Sequence, residues 1–204
     1  MALYSDWIFP HLLEWTLGRK LPMEYRRRVL ADAGGDVLEI GFGTGLNLGC
    51  YPPAVERLTL LDPARLLSRR VAKRIAAASM PIEQAYLDAE QLPFDAGRFD
   101  TIVSTWTLCT IPDVAAALSE VRRVLKSSGK LLFLEHGRSA DPSIARRQDR
   151  WNGIQRVIGC GCNLNRPIDE LLAAAGLNVV QLERFAMPGT PSLLAEHYLG
   201  AAAP

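Results

Sequence analysis

The chain is short of the features that mark several large classes of protein. It has four cysteines in 204 residues, Cys50, Cys109, Cys160 and Cys162. Nothing resembling a secretory leader precedes them: Asp6, Pro10, His11 and Glu14 interrupt the N-terminal apolar stretch, which lacks a basic start. The cysteines therefore read as reduced, cytosolic thiols and not as a disulfide framework, and the expected location is cytoplasmic. No uninterrupted apolar run reaches the roughly 18–20 residues of a membrane-spanning helix. A net charge of +1 provides no field to favour nucleic acid or a strongly acidic partner. Internal repeats, low-complexity tracts and an interdomain linker are also missing. With 49 % apolar and 22 % charged residues, the chain suits one globular domain with a substantial core.

From residue 36 onward, strand-like and helix-like runs alternate. Strand patterns fall at 36–40, 57–61, 82–87, 99–105 and 130–135, and helix patterns at 63–78, 113–126, 142–158 and 167–175. Gly129 and Gly176 follow helix or strand ends, and Asp141-Pro142 and Asn165-Arg166-Pro167 open helices. This alternation predicts a parallel sheet covered on both faces. Residues 177–186 and 192–199, joined by MPGTP without a helix between, predict an antiparallel edge hairpin. Ahead of the sheet, 5–17 and 22–33 read as two helices, the first bent or divided at Pro10. The division expected is a helical cap or lid over residues 1–35 and an α/β domain over 36–204.

The stretch VLEIGFGTGLN carries Gly41, Gly43 and Gly45 immediately after a strand. Glycine serves where backbone must adopt φ > 0 or lie against a ligand. A dinucleotide fingerprint would put its third glycine at position 46, which is leucine. The G-x-G-x-G spacing thus fits a nicotinamide cofactor poorly. Asp62 ends the second strand, where a carboxylate can accept hydrogen bonds from ribose hydroxyls. Asp88 ends the third, within reach of an adenine amino group. Singly, Asp62 reads as a cap for a helix starting at Pro63 and Asp88 as a turn residue. Together with the glycine turn they describe a cofactor cleft.

VLEIGFGTGLN, LLDPA, LDAEQLPF, RFDTIVSTWTLCTIPD and EVRRVLKSSGKLLFLEHG together resemble the successive motifs of class I S-adenosylmethionine-dependent methyltransferases. WTLCTIPD, FLEHGRS and GCGCNLNRP are similar to the branch that contains the alkyl-thiol methyltransferases of animals; the hydrophobic N-terminal anchor of those proteins is not expected in this one. The central motifs are also similar to ubiquinone/menaquinone C-methyltransferases. The resemblance implies a Rossmann-like, seven-stranded, mostly parallel sheet ending in an antiparallel hairpin. It implies S-adenosylmethionine as cofactor and S-adenosylhomocysteine as product. It further implies that Gly41, Gly43 and Gly45 admit the cofactor, Glu39 faces its methionine end, and Asp62 and Pro63 hold the ribose. Asp88 and Ala89 would contact adenine, and Ser104, Thr105 and Leu108 would line the floor beside the methyl group. The expected acceptor is a small, fairly apolar molecule, a thiol before a quinone-type carbon or an oxygen or nitrogen. A non-catalytic cofactor-binding module is the alternative from outside enzymology.

Few general bases stand near such a site. His136, after the fifth strand, is a candidate base or a structural histidine. Cys109, Trp151, Asn163 and Arg166 are candidate substrate contacts; Cys109 and Trp151 read equally as packing, and Asn165 as a cap for the helix from Pro167. Cys160 and Cys162 form a C-x-C that reads as a packed turn, since zinc would need further ligands and only His136 and Cys109 are available; no metal is expected. Tyr4 and Trp7, with Phe9 and Trp15, suit an apolar lid or a packed helix in preference to a helix on a membrane surface. Arg26, Arg27 and Arg28 read as a solvated helix face.

Overall fold

The computed structural model describes residues 4–204. A π-helical turn, Tyr4–Ile8, leads into α1 (Phe9–Leu17) and α2 (Lys20–Leu30). The strands are β1 (Gly35–Ile40), β2 (Val55–Leu61), β3 (Ile82–Ala85), β4 (Phe99–Thr105), β5 (Leu125–His136), β6 (Asn178–Ala186) and β7 (Glu196–Ala203). The remaining helices are α3 (Ser68–Ala76), α4 (Val114–Val124), α5 (Pro142–Ile158) and α6 (Ile168–Ala174), with a 3-10 turn at Leu46–Gly49.

All seven strands form one sheet in the order β3-β2-β1-β4-β5-β7-β6. The first five run parallel, while β7 lies antiparallel between β5 and β6. This is the expected class I methyltransferase sheet with its terminal hairpin. Strand order reverses between β1 and β4, so a ligand crevice belongs at their carboxyl ends.

The alternation of side chains along the strands splits the core in two. Leu38, Ile40, Leu131 and Phe133 face a layer built on Leu118 and Val121 of α4 and Ile168 and Leu172 of α6. Val37, Leu132 and Leu134 face the opposite layer, with Val29 and Leu30 of α2 and Val71 of α3. Neither face is left to solvent, so the central strands read as continuous apolar runs.

Several element boundaries differ from the pattern-based expectation. Pro10 does not divide a helix; it lies in the first turn of α1, where its missing N–H costs no hydrogen bond. The helix expected from Pro63 starts at Ser68, because Ala64 N donates to Asp62 Oδ1 and Leu67 adopts φ +43°. Asp62 therefore organises a turn and does not cap α3. Pro167, not Asn165, occupies the N-cap position of α6, and Asn165 Nδ2 donates to Asp149 instead. The last strand is shifted from 192–199 to Glu196–Ala203: Leu194 N closes a turn onto Pro191 O, and the weak strand formers Gly200–Ala203 are held between β5 and β6.

Candidate functional site

The glycine loop leaves β1 at the switch point. Gly41, Gly43 and Gly45 have φ of +69°, +52° and +77°, which a side-chain-bearing residue rarely adopts. At Gly41 a Cβ would overlap the Thr107 side chain, whereas at Gly43 it would meet only Gly41 O at 3.9 Å. Gly41 is thus demanded by packing on the β4 tip, and Gly43 leaves open space on the cleft side. Gly43 N donates to Asp62 Oδ2 at 2.9 Å and Ala64 N to Oδ1 at 2.8 Å. Burial raises the Asp62 pKa, and these two N–H groups oppose the rise. Ala89 is buried, while Asp88 is exposed on the rim of a surface depression with Gln91, Ala116 and Arg123.

Glu39 lies on the α2 side of β1, wholly inside the protein. Tyr51 Oη donates to its Oε2 at 2.7 Å and Asn47 Nδ2 to its Oε1 at 3.0 Å. Burial drives its pKa upward, against the Tyr51 hydrogen bond and the Arg26 charge. The same Asn47 and Thr105 Oγ1 each accept from Arg26 Nη1 at 2.8 Å. Arg26 is 5 % exposed, not on a solvated face as its neighbours in sequence suggested. Its guanidinium lies 4.6 Å from the centroid of Trp106, itself held at φ +52° by the turn after β4. Burial lowers the Arg26 pKa to about 10, opposed by Glu39, so the group remains a cation at neutral pH. Arg26 Nε is buried with no hydrogen-bond partner among the described residues. Close to Asn47 of the glycine-loop segment, a buried, positively charged N–H thus lacks a partner, the kind of donor that suits a carboxylate.

The β4–β5 side is built differently. Thr107 N and Ser104 Oγ donate to Glu135, a carboxyl with no exposed surface. Burial raises its pKa to about 8, with the neighbouring Cys109 adding to the rise and the hydrogen bonds opposing it. Next in sequence, His136 is buried, with Nε2 2.9 Å from Cys162 Sγ; Cys162 Sγ lies 3.7 Å from Cys109 Sγ. The Cys162 hydrogen bond holds the Cys109 pKa well below the usual thiol value, against the effect of burial, and the Cys162 pKa is raised in turn by that bond. Burial works against a charged His136, but the adjacent Cys109 outweighs it and the net direction is upward.

Asn163 and Arg166 were expected at the substrate. Their polar atoms instead join GCGCNLNRP to the loop after β4. Asn163 N and Nδ2 both donate to Cys109 O at 2.9 Å, and Arg166 donates to Leu108 O and, at 2.7 Å, to Ile111 O. Leu108 and Cys109 are buried. Trp7 is 70 % exposed and Trp151 46 %. They stand with Ile8, Leu12, Trp15, Ile154, Val157 and Ile158 among the exposed large apolar side chains of α1, the turn before it and α5. Tyr4 Oη ties the two segments together by donating to Ile158 O at 2.8 Å.

Pattern reading missed Arg26, Asn47, Tyr51, Trp106, Glu135 and His197. Asn47 closes the glycine motif and was the most accessible of these. Arg26 sits in a run of three arginines whose helical phase alone separates it: Val29 and Leu30, three and four residues on, are core. His197, buried against Phe185, has its pKa lowered to about 4 by burial, with a hydrogen bond to Ala195 O opposing.

The reversed strand order, the glycine loop and Asp62 on the next strand tip are the arrangement expected of a class I S-adenosylmethionine-dependent methyltransferase. The comparisons agree. A family profile described as "Methyltransferase domain" matches residues 38–133. The chain is 32 % identical to the human thiol S-methyltransferase TMT1B, over 99 % of this chain and 91 % of that protein. It is 34 % identical to the ubiquinone/menaquinone biosynthesis C-methyltransferase UbiE of Allorhizobium ampelinum, over 59 % and 49 % of the two chains. The structure of Burkholderia thailandensis 1,6-didemethyltoxoflavin-N1-methyltransferase with bound S-adenosylhomocysteine superposes with a TM-score of 0.68 at 16 % identity, covering 98 % and 86 %. The chain belongs to the class I S-adenosylmethionine-dependent methyltransferases, and its cofactor is S-adenosylmethionine. No helix among the described residues is long and apolar enough to cross a membrane.

Proposed function

We propose that this methyltransferase acts on the thiol of a small, fairly apolar acceptor. The observation that carries the acceptor class is the near full-length similarity to a thiol S-methyltransferase. The exposed apolar side chains of α1 and α5 support the apolar part, since they can take up a hydrophobic body at the edge of the cleft.

In the proposed site, Gly43 offers bare backbone to the cofactor, Asp62 with Pro63 receives the ribose, and Asp88 with Ala89 flanks the adenine. Arg26 takes the methionine carboxylate and Glu39 faces the ammonium. Thr105 and Leu108 form the floor. S-adenosylmethionine supplies an activated methyl group when bound, so the protein's task is alignment and exclusion of water. Alignment of this kind is worth on the order of 7–11 kcal/mol. A thiol with a pKa near 8.5 is ionised by a few per cent at pH 7 and needs little basic assistance. His136 is too enclosed by Cys109 and Cys162 to be assigned as a base on geometry; its partners are thiols of the protein. Residues 4–35, including Tyr4 and Trp7, act as a cap over the acceptor, and Trp151 forms its opposite wall.

Incubation with methyl-labelled cofactor and a panel of alkyl thiols, quinols, phenols and amines tests the reading. Methylation of thiols in preference to the rest is expected. Turnover of quinols or amines with thiols inert would replace it.

A further inference from the structure

Cys109, His136 and Cys162 arrive from three parts of the chain: the loop after β4, the end of β5, and the turn after α5. One ligand-type atom from each lies within 4.8 Å of the other two. Cys109 and His136 are buried and Cys162 is half-buried, which makes Cys162 the most accessible member of the cluster.

The spacing fits a coordination sphere. Two thiolates bound to one zinc at about 2.3 Å, at a tetrahedral angle, stand roughly 3.8 Å apart. The Cys109–Cys162 separation is 3.7 Å. For imidazole and thiolate the corresponding edge is roughly 3.5 Å, so Nε2, now 2.9 Å from Cys162 Sγ, would withdraw by roughly 0.6 Å. Hydrogen bonds to main-chain groups fix the two segments that carry the cysteines. Asn163 fixes the Cys109 carbonyl twice, and Gly161 N donates to Arg156 O, closing the C-x-C turn on α5. Cys162 N donates to Gly159 O.

We propose that Cys109, His136 and Cys162 form a three-ligand site for a thiophilic divalent cation of the zinc class, with its fourth position open. Three protein ligands and one exchangeable position are the pattern of catalytic rather than structural zinc. The site lies at the carboxyl edge of β5, two strand spacings, roughly 10 Å, from the β1 tip that carries the glycine loop. Resting on the thiol reading above, the open position takes the acceptor. A thiol R–SH binds as thiolate and releases its proton to solvent. Its sulfur then forms the bond to the methyl carbon as the bond from that carbon to the cofactor sulfur breaks, leaving a thioether and neutral S-adenosylhomocysteine. This departs from the pattern-based expectation of no metal, which counted ligands by sequence spacing.

The test uses the full chain purified anaerobically under reducing conditions without chelators, with S-adenosylhomocysteine calorimetry to verify folding of each form. One zinc per chain by elemental analysis is expected. The cobalt-substituted protein should show thiolate-to-cobalt charge transfer and the intense visible bands of a tetrahedral ion. Cys109→Ser and Cys162→Ser should weaken metal affinity at least 100-fold, and Cys50→Ser should leave it unchanged. Benzyl mercaptan should shift the cobalt spectrum without removing the ion. Wild-type protein that binds S-adenosylhomocysteine but neither zinc nor cobalt would overturn the site, whatever the variants do. Loss of the spectrum in Cys160→Ser, with no response to the mercaptan, would overturn the open position in favour of four protein ligands. Undiminished thiol methylation by the metal-stripped enzyme would overturn the acceptor's place on the metal. An intact cobalt spectrum with quinols methylated and thiols inert would uphold the metal site while removing the thiol reading.

Discussion

The β1–β2 tips and the β4–β5 tips share one sheet edge but are made of different material. At β1 and β2 the working surface is largely backbone: a glycine loop and two N–H groups held by Asp62. At β4 and β5 it is a packed array of side chains: buried Glu135 accepts from Ser104 and Thr107, and next to it in sequence His136 meets Cys162, which meets Cys109. The first surface suits a ligand that every enzyme of the class shares, because a few glycines and one acid suffice to present the same backbone to it. The second suits a ligand particular to this enzyme, because each contact is a choice of side chain. Arg26 belongs to neither strand set, and its guanidinium meets both halves at Asn47 and Thr105.

The sharpest way to break the comparison is at Asp62. Replacing it with alanine leaves Gly43 N and Ala64 N without their partner and removes the proposed ribose acceptor. Hydrogen bonds to a charged group are worth about 1.5–3 kcal/mol each. S-adenosylhomocysteine affinity should fall by roughly 10²–10³-fold in calorimetry, with the cobalt spectrum unaltered. Equal damage to both would mean that the two halves are one cooperative unit.

Glu135 tests the other half through pH. Its folded pKa, about 8, lies above the unfolded value near 4.3. The folded protein therefore binds more protons than the unfolded chain between these values. Stability from this group is fully present below about pH 4 and is lost as pH rises through 8. Glu135→Gln keeps an acceptor for Thr107 N and removes the charge. In metal-free protein its Tm should match wild type near pH 5 and exceed it above pH 8, by the equivalent of about 1–3 kcal/mol. A variant less stable at every pH would show that the carboxylate is charged and stabilising.

Arg26 asks whether the join between the halves serves the cofactor. Arg26→Lys retains a charge that can still serve Asn47 and Thr105, both of which Arg26 reaches through Nη1 alone, but it lacks the unpartnered Nε–H proposed for the carboxylate. Affinity for S-adenosylhomocysteine should drop about tenfold, on the order of 1.4 kcal/mol. Affinity for 5′-methylthioadenosine, which has no carboxylate, should be unchanged. Equal losses for the two ligands would assign Arg26 to packing alone.

The same contrast explains what could be read from the chain before its fold was known. The succession of strands and helices, the terminal hairpin and the glycine loop follow from local signals: apolar runs of strand length, glycines at fixed offsets and helix-start residues. VLEIGFGTGLN contains its own context. The β4–β5 site has no such economy. Cys109 and Cys162 are 53 residues apart, and Arg26 and Thr105 are 79 apart. No spacing rule connects them; only the sheet register and the seating of GCGCNLNRP on the loop after β4 do. Arg166 and Asn163 were identifiable as polar residues near the site, yet their hydrogen bonds go to backbone carbonyls that only the folded chain presents.

The smallest expected effect concerns the outer wall of the acceptor side. Trp151 is 46 % exposed on α5, among Ile154, Val157 and Ile158, and no cofactor contact is proposed for it. If it forms the wall against which an apolar acceptor rests, Trp151→Ala removes apolar contact area. At about 25 cal/mol per Å², a few tens of Å² amount to roughly 1 kcal/mol. The KM for a long-chain alkyl thiol should then rise about fivefold, while a short thiol, which cannot reach the wall, should show no change. S-adenosylhomocysteine affinity should be untouched for either. A uniform change across chain lengths would place Trp151 in the packing of α5, and the dependence on acceptor length separates the two with steady-state kinetics alone.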